Sequence, residues 1–350
     1  MRCIQIGVGG WGQHWCKVVL PRLQTLGLVQ VVAAVDINPE VLPRAREQLG
    51  LAEHQLYTDA AEALAEHPAD FVTIVVPPAS HEQMVGLAVA HKLHILSEKP
   101  IADTMEGCCR IYHKVRRAGL KMAVTMTHRF DQDKESLRRR IASGEYGRLD
   151  YIVGRNTWDC RRFGQWGKFR YRIPDPLLIE GTVHHFDIMR ALAASNAKTV
   201  YARTWNPPWS EFSGDAQGLI LVEMENGVKV MYEGAKANAS TLNEWCEDYW
   251  RAECDHATLE LDQRRLRVIR GNRGRNAIIE ELPLEQQPAW VNSWLAEMFA
   301  EWLLGGPEPP NSLEDNIQCA ALLFAAISSA HTGEIVDVQA FLANALAATA

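Results

Sequence analysis

The chain has 350 residues, of which 47% are hydrophobic and 23% charged, a composition typical of globular proteins and a length that favours two domains. Its formal net charge of -7 argues against binding to nucleic acid or to a membrane surface. No apolar run reaches transmembrane length, and the first residues enter a strand without a signal-peptide pattern. We therefore expect a cytoplasmic protein with neither nucleic acid nor membrane as a partner.

A glycine-rich turn follows the first predicted strand. Gly7, Gly9 and Gly12 form a G-x-G-x-x-G pattern between this strand and a segment with helical spacing. Glycines here permit a tight turn and let backbone N–H groups approach a pyrophosphate at the helix N-terminus. The next apolar strand ends at Asp36, whose carboxylate would accept hydrogen bonds from ribose hydroxyls and repel a 2′-phosphate. The pattern predicts a dinucleotide site that favours NAD over NADP.

Strand-like and helical segments continue to alternate up to about residue 124. Such alternation predicts a parallel sheet, in which ligands bind beyond the carboxyl ends of the strands. Residues 77–78 and 98–100 follow two of these strands. Pro100 pushes Lys99 towards extended geometry, so the position predicts a catalytic lysine beside the cofactor. A solvated surface lysine is the alternative.

The pattern changes from about residue 149, where strand-like segments become frequent. The pair Asn226-Gly227 between two alternating runs predicts a β-hairpin. We therefore predict an α/β dinucleotide-binding domain over residues 1–124 and a substrate-binding and oligomerisation domain over residues 125–350. A mostly antiparallel sheet covered by helices on one face is expected in the second domain. Its other face would pair two subunits or stay uncovered and polar.

The segment 155–172 has six basic residues, one acidic residue and five aromatic residues. It predicts a loop over the substrate pocket that selects an anion through a residue such as Arg162. A solvated loop or an interface is the alternative. Trp158 and Trp166 in this segment offer flat apolar faces on which sugar rings stack, although tryptophan is also a common core residue.

A group of acids and histidines, Glu180, His184, His185 and Asp187, lies at the start of a helical pattern. An acid and a histidine four residues apart share one face of a helix. A neutral histidine there can take a proton from a hydroxyl while a carboxylate orients it. The group therefore predicts a general base.

The eight cysteines are scattered along the chain, which is typical of reduced thiols. Cys246, Cys254 and His256 could be imagined as a zinc site, but their spacing fits no standard pattern. We expect no metal.

Taken together, these motifs resemble those of the glucose–fructose oxidoreductase/inositol dehydrogenase (Gfo/Idh/MocA) family. The resemblance covers nearly the whole chain. It depends on the glycine turn, "VVPPASHEQM", "EKP" at 98–100, "THRF" at 127–130 and the Glu-x-x-x-His-x-x-Asp run that ends at Asp187. It implies an N-terminal Rossmann domain, a C-terminal α/β domain with an open, mostly antiparallel sheet, and a homodimer or homotetramer.

The resemblance also implies roles for individual residues. Lys99 would hydrogen-bond the substrate oxygen and the cofactor, and His184 would be the general base. Glu180 would orient His184, although the family usually has an aspartate four residues before the histidine. Cofactor-binding roles would fall to Gly7, Gly9, Trp11, Gly12, Asp36, Pro77, His81, Glu98 and Lys99. Arg129 and Trp158 fall where family members line the substrate pocket, and His185 could also take part. Arg162 is a substrate candidate from the basic segment and not from the resemblance.

The predicted function is an NAD-dependent sugar dehydrogenase. It would oxidise a ring hydroxyl of a sugar, sugar acid or glycoside to a ketone by hydride transfer to nicotinamide, and anionic sugars are candidate substrates. Some enzymes of this fold are instead glycoside hydrolases or lyases that oxidise a hydroxyl transiently and leave NAD unchanged overall; the motifs do not separate the two activities. Others are non-catalytic NAD-sensing regulators, which need not keep both Lys99 and His184.

Overall fold

The computed structural model describes residues 1–272 and 275–350, which form two compact units. The first unit comprises Met1–Thr127, Ala289–Ala320 and Ala345–Ala350. The second comprises His128–Pro288 and Ala321–Asn344. The boundary expected at residue 125 lies close to the start of the second unit. However, two segments that we expected in the second domain belong to the first unit.

A six-stranded parallel sheet forms the centre of the first unit, in the order β3-β2-β1-β4-β5-β6. This confirms the Rossmann sheet predicted from the alternating pattern. The strand β4 is buried along its whole length, as expected for a parallel sheet covered on both faces. The strands are β1 (Arg2–Ile6), β2 (Gln30–Val35), β3 (Leu56–Tyr57), β4 (Phe71–Ile74), β5 (His94–Ser97) and β6 (Met122–Val124).

Both units contain α-helices. In the described residues, none combines the length and the hydropathy that a membrane-spanning helix needs. The α-helices are α1 (Gly12–His14), α2 (Leu20–Thr25), α3 (Leu42–Leu49), α4 (Ala60–Glu66), α5 (His81–Ala90), α6 (Met105–Arg117), α7 (Gln132–Ala142), α8 (Val183–Ala193), α9 (Val291–Leu303), α10 (Leu313–Thr332) and α11 (Val338–Thr349). Two π-helical turns, Trp15–Val19 and Leu177–Thr182, lead into α2 and α8. Short 3-10 turns occupy Pro39–Val41, Glu53–Gln55, Pro78–Ser80, Thr127–Phe130 and Lys168–Tyr171.

Helix α9 explains why a late segment of the chain belongs to the first unit. The ring of Phe299 meets the ring of Phe71 on β4 edge-on, with 5.5 Å between the centroids. Glu297 forms an ion pair with Arg22 on α2. An amphipathic pattern shows that a helix has an apolar face but does not identify its packing partner, so the sequence did not reveal this assignment.

The second unit contains a nine-stranded sheet in the order β14-β13-β12-β11-β7-β10-β9-β8-β15. All neighbours are antiparallel except β7 and β10. The hairpin predicted at Asn226-Gly227 is confirmed, since it joins β9 to β10. The strands are β7 (Leu149–Thr157), β8 (Ala197–Trp205), β9 (Gln217–Met224), β10 (Lys229–Ala235), β11 (Tyr249–Cys254), β12 (Thr258–Asp262), β13 (Arg265–Arg270), β14 (Ile278–Leu282) and β15 (Val336–Asp337).

The central strand β7 positions the polar residues of the second unit. Asn156 near its carboxyl end lies opposite Gly234 of β10 on one side. On the other side, Arg155 lies opposite Tyr249 of β11. The end of β10 and the beginning of β11 therefore come together beside the end of β7. Next to this point Trp250 is completely buried and serves as a core residue.

Candidate functional site

The glycine turn of the first unit requires glycine for steric reasons. Gly7 has a φ of 85°, and a Cβ at this position would lie 2.0 Å from the carbonyl oxygen of Val75. A Cβ on Gly12 would lie 2.2 Å from the carbonyl oxygen of Gly7. The turn therefore excludes side chains at both positions and leads directly into α1, where N-terminal amides of a helical run favour a phosphate.

Asp36 is attached to this turn. Its Oδ2 atom accepts hydrogen bonds from the backbone N–H groups of Val8 at 2.9 Å and Gly9 at 2.8 Å. Its Oδ1 atom accepts from the N–H of Asn38 at 3.0 Å. Sequence reasoning named Asp36 as a ribose ligand but missed this second role, in which the carboxylate connects the end of β2 to the glycine turn.

Glu98, at the end of β5, is also connected to the helix that follows the turn. Its Oε1 atom accepts hydrogen bonds from Nε1 of Trp11 at 3.0 Å and from Nε1 of Trp15 at 3.1 Å. Burial raises the pKa of the Glu98 carboxyl above its ordinary value. Trp15 was not predicted to take part, because a buried tryptophan in a helical segment is read as core.

Lys99 is half-buried and follows Glu98 at the carboxyl end of β5. Its peptide bond to Pro100 is cis. His81, which was predicted to bind the cofactor, is fully buried beneath this segment: Nδ1 lies 2.9 Å from the carbonyl oxygen of Pro100, and Nε2 lies 3.0 Å from that of Val76. The imidazole thus supports the Lys99-Pro100 segment. Pro77 is exposed at the end of the neighbouring strand.

In the second unit, the predicted group of acids and histidines lies on the π-helical turn Leu177–Thr182 and on α8. Glu180, His184, His185 and Asp187 are all buried. Such π turns are frequent at functional sites. Oε2 of Glu180 forms an ion pair with Arg170 at 3.0 Å.

Arg129 is brought to the same helix. Its Nε atom lies 3.2 Å from Oδ2 of Asp187, and Nη1 of Arg190 lies 3.6 Å from Oδ1 of the same carboxylate. Sequence reasoning had named Arg129 and Asp187 separately. The structure shows that they form one buried ion pair.

A charged cluster centred on Asp248 was not predicted at all. Oδ2 of Asp248 lies 2.5 Å from Nε2 of His128 and 3.2 Å from Nζ of Lys134. Oδ1 lies 3.2 Å from Nε2 of His185 and accepts a hydrogen bond from Nδ2 of Asn156 at 2.5 Å. His185, predicted to contact substrate, is therefore completely buried and bonded to Asp248.

The two histidines of this cluster carry different charges. Burial disfavours the imidazolium form of His128, but the carboxylates of Asp248 and Asp131 outweigh it and hold the pKa of His128 well above 6.5. Burial lowers the pKa of His185 to about 4. His128 is therefore an imidazolium and His185 is neutral at pH 7.

Trp245 connects this cluster with the predicted base. Its ring stacks on the ring of His128 at a centroid distance of 4.3 Å. The same ring meets His184 edge-on at 4.9 Å. Trp245 thus packs against both the Asp248 cluster and the predicted base.

Two groups among the described residues have side-chain atoms close enough to hold a metal ion: His128, Asp131 and Cys246, and His128, His185 and Asp248. Nζ of Lys134 lies 3.2 Å from Asp248 and 3.4 Å from Asp131. The ammonium group already supplies positive charge to both carboxylates, where a cation would otherwise bind.

The basic segment 155–172 uses most of its described arginines within the protein. Arg162 is exposed and pairs with Glu211 at 3.1 Å. Arg161 pairs with Asp159 at 3.1 Å. Together with the Arg170–Glu180 pair, these contacts satisfy cations that were candidates for holding a substrate anion.

Trp158 and Trp166 instead cover a lysine that sequence reasoning missed. Nζ of Lys236 lies 4.3 Å from the ring centroid of Trp158 and 5.0 Å from that of Trp166. Lys236 directly follows β10 and lies between two buried alanines, Ala235 and Ala237. A lysine between alanines in strand-like sequence is the signal that could have drawn attention to it, because lysines are mostly exposed.

Both units match models of known protein families. Residues 1–126 match the family model "Oxidoreductase family, NAD-binding Rossmann fold", and residues 135–259 match "GFO/IDH/MocA C-terminal domain". The "Uncharacterized protein y4oX" of Sinorhizobium fredii is 43% identical over 350 residues, with 97% of this chain and 96% of the relative covered.

Two further relatives have names that describe an activity. The D-apiose dehydrogenase of Rhizobium rhizogenes is 26% identical over 330 residues, covering 89% of this chain and 91% of the relative. The inositol 2-dehydrogenase of Burkholderia cenocepacia is 29% identical over 234 residues, covering 66% of each chain.

Solved structures share the whole fold. An oxidoreductase from Agrobacterium radiobacter in complex with NAD+, L-tartaric acid and magnesium has a TM-score of 0.83 at 21% identity, covering 97% of this chain and 99% of that one. An aldose-aldose oxidoreductase from Caulobacter crescentus complexed with glycerol has a TM-score of 0.82 at 18% identity, covering 96% and 99%. The chain therefore belongs to the Gfo/Idh/MocA family of NAD-binding oxidoreductases.

Proposed function

We propose that this protein is an NAD-dependent dehydrogenase that oxidises a ring hydroxyl of a sugar, sugar acid or glycoside to a ketone. The observation that carries the proposal is the presence of both Lys99, at the carboxyl end of β5, and His184, on a buried helix that also carries Asp187. A protein that only senses NAD need not keep both groups. The relatives named D-apiose dehydrogenase and inositol 2-dehydrogenase support a polyhydroxylated substrate.

The residues of the first unit fit a dinucleotide. Gly7 and Gly12 leave no room for a Cβ, so backbone groups alone form the turn, as a bound pyrophosphate requires. The carboxylate of Asp36 at the end of β2 favours ribose hydroxyls over a 2′-phosphate, which supports NAD rather than NADP. When bound, the nicotinamide supplies the acceptor for the hydride.

In the proposed reaction, the residues of the protein transfer a proton and stabilise charge. His184 takes the proton of the substrate hydroxyl as general base. Lys99 donates a hydrogen bond that stabilises the negative charge developing on a substrate oxygen. Glu180 is kept in place by Arg170, and Asp187 by Arg129, so the helix that carries His184 has fixed neighbours.

We also propose that a second copy of the chain covers part of the nine-stranded sheet. Leu221 on β9 lies opposite Met231 on β10, and these side chains are 54% and 52% exposed. Neighbouring apolar side chains exposed to this extent are typical of interaction surfaces. A Leu221→Asp variant is expected to be a smaller species than the parent in light scattering; an unchanged mass would contradict a subunit contact there.

Lys99→Met tests the proposed role of Lys99. We expect NAD affinity, measured by calorimetry, to remain close to that of the parent. Turnover on a panel of D-apiose, myo-inositol and D-glucuronate should fall by about 10²–10³-fold, the range found when one donor to a developing oxyanion is removed. Lys92→Met is the matched control, since Lys92 is an exposed lysine just before β5. Turnover of Lys99→Met within a few-fold of the control would contradict the assignment.

A further inference from the structure

Lys236 differs from the other fully buried lysine of the second unit. Both are only 1% exposed. Lys134 lies within 3.4 Å of three carboxylates, those of Asp131, Asp133 and Asp248. In the described part of the chain, no carboxylate forms an ion pair with Lys236. With the described residues, its side chain forms one hydrogen bond, from Nζ to Oδ1 of Asn156 at 2.6 Å.

The surroundings of Lys236 are suited to a cation that awaits an anion. The ammonium group faces the rings of Trp158 and Trp166, which attract a positive charge but accept no conventional hydrogen bond. An ammonium has three donors, and one of them is used by Asn156. A buried charge without a counter-ion is costly for folding, so such a position is typical of a functional group.

The pKa values of Lys236 and Lys134 are shifted in opposite directions. Burial lowers the pKa of Lys236 to about 8, with Arg170 acting in the same direction, while Cys160 and Asp248 oppose them. Burial also acts on Lys134, but its carboxylates raise its pKa above the ordinary lysine value. Lys236 thus remains mainly protonated at pH 7, and a bound anion would stabilise the protonated form.

Lys236 also lies directly against the segment that carries the proposed base. A Cβ built on Gly181 would lie 3.3 Å from Cε of Lys236 and 3.5 Å from the ring of Trp166. Gly181 stands between Glu180 and His184 on the turn that leads into α8. A substrate group bound by Lys236 would therefore be close to the same turn.

We propose that Lys236 is a specificity-determining residue that binds a carboxylate of the substrate, and this inference rests on the dehydrogenase function proposed above. A carboxylate carries one negative charge, which matches a single ammonium, whereas a phosphate dianion would need a second cation. The nearest candidate, Arg170, is already paired with Glu180. Because Lys236 is 1% exposed, the ring of Trp166 shifts from the ammonium when the carboxylate binds. Lys236 takes the role that the sequence assigned to the exposed Arg162.

The test compares acids with their neutral counterparts. The pairs are D-glucuronate with D-glucose and D-galacturonate with D-galactose. With NAD, the parent protein should show a kcat/KM for the better of the two acids that is at least about tenfold higher than for its neutral counterpart. A hydrogen bond to a charged group supplies a factor of this size. Lys236→Met should remove this preference by raising KM for the acid. Lys236→Arg should restore part of it, and Lys229→Met, at the exposed start of the same strand, should leave it intact.

Two further readouts separate binding from folding. Replacing an uncompensated buried cation with methionine should leave the melting temperature equal or higher, whereas a purely structural lysine would lower it. In the parent, KM for the acid should rise about tenfold per pH unit above about 8, as the ammonium of Lys236 is lost. KM for the neutral sugar should not follow this trend.

If none of the sugars turns over, the proposed dehydrogenase substrates are contradicted, but the proposed role of Lys236 is not. A binding measurement then tests Lys236 separately. D-glucuronate, D-galacturonate and L-tartrate are titrated into the protein–NAD complex, and a change in tryptophan fluorescence reports binding. We expect at least one acid to bind to the parent. Its affinity should fall about tenfold or more in Lys236→Met. No acid binding in the parent, or the same affinity in the variant, would overturn the proposal.

Discussion

Nε2 of His128 lies 2.5 Å from Oδ2 of Asp248, and both side chains are almost completely enclosed. Asp248 also contacts Lys134 and His185. Asp248 lies directly before β11. His128 and Lys134 lie just before and on α7, and His185 lies on α8, so one carboxylate joins three separate parts of the second unit. Through Trp245, the same cluster reaches His184.

Asp248→Asn should destabilise the protein strongly. Removing one partner of a buried ion pair leaves the opposite charges uncompensated, which costs about 3–5 kcal/mol of unfolding free energy. Here Lys134 and His128 would each lose one of the carboxylates that surround them. Guanidinium unfolding measures the change. Glu281→Gln, which breaks an exposed pair with Arg265, should leave the unfolding free energy nearly unchanged. A loss for Asp248→Asn no larger than for this control would contradict the account.

The cluster also predicts how stability depends on pH. The pKa of His185 is lowered by burial to about 4, so below pH 6.5 the unfolded chain binds a proton there that the folded chain does not, and stability falls towards pH 4. The pKa of His128 is raised well above 6.5 despite its burial, because Asp248 and Asp131 favour the charged form. Above pH 6.5 the folded chain keeps a proton that the unfolded chain loses, and stability falls as pH rises.

The measurement is the unfolding free energy of the parent and of His185→Gln at a series of pH values from 4 to 9. The difference between the two curves should change with pH only in the interval between about 4 and 6.5. The fall on the alkaline side should be shared by both proteins, since it belongs to His128. A difference that grows above pH 7 would contradict the assignment of charge to the two histidines.

Asp36 should control the choice of dinucleotide. Asp36→Asn keeps an oxygen that can accept hydrogen bonds from Val8 and Gly9 but removes the charge that repels a 2′-phosphate. We expect the ratio of kcat/KM for NAD to that for NADP to fall about tenfold or more, since charge-assisted hydrogen bonds contribute about 1.5–3 kcal/mol. Asp36→Ala should in addition weaken binding of both dinucleotides. An unchanged ratio in both variants would show that another group selects NAD.

Gly12→Ala should abolish dinucleotide binding. The new Cβ would lie 2.2 Å from the carbonyl oxygen of Gly7, and this backbone contact cannot be relieved without opening the turn. Gly86→Ala is a suitable control, because its Cβ would meet only the flexible end of Lys114 at 3.4 Å and alanine favours the helical state. Fluorescence titration with NADH compares the two variants. Binding by Gly12→Ala with parental affinity would contradict the steric argument.

The candidate site residues that the sequence predicts are those whose proximity is encoded locally. The spacing of Gly7 and Gly12, and of Glu180 and His184, places side chains within one turn or one helix, where the period of the element fixes their proximity. Lys99 was identified because it follows a strand. These positions need no knowledge of long-range pairing.

The Asp248 cluster and Lys236 were missed because their proximity depends on long-range pairing. Asn156, Lys236 and Asp248 are separated by many residues and are joined only when β7 pairs with β10 on one side and β11 on the other. The β7–β10 pair is parallel within a largely antiparallel sheet, and no hairpin turn connects its strands. Sequence periodicity gives the type of each strand but not its neighbour.

The measurement that tests the central claim most directly is the stoichiometry of the cofactor. The protein is incubated with NAD and a panel of free sugars, sugar acids and aryl glycosides, and NADH formed is compared with substrate consumed. The proposed dehydrogenase predicts one NADH for each substrate oxidised. Cleavage of a glycoside with no net NADH would contradict it and would indicate an enzyme that oxidises and reduces its substrate within one catalytic cycle.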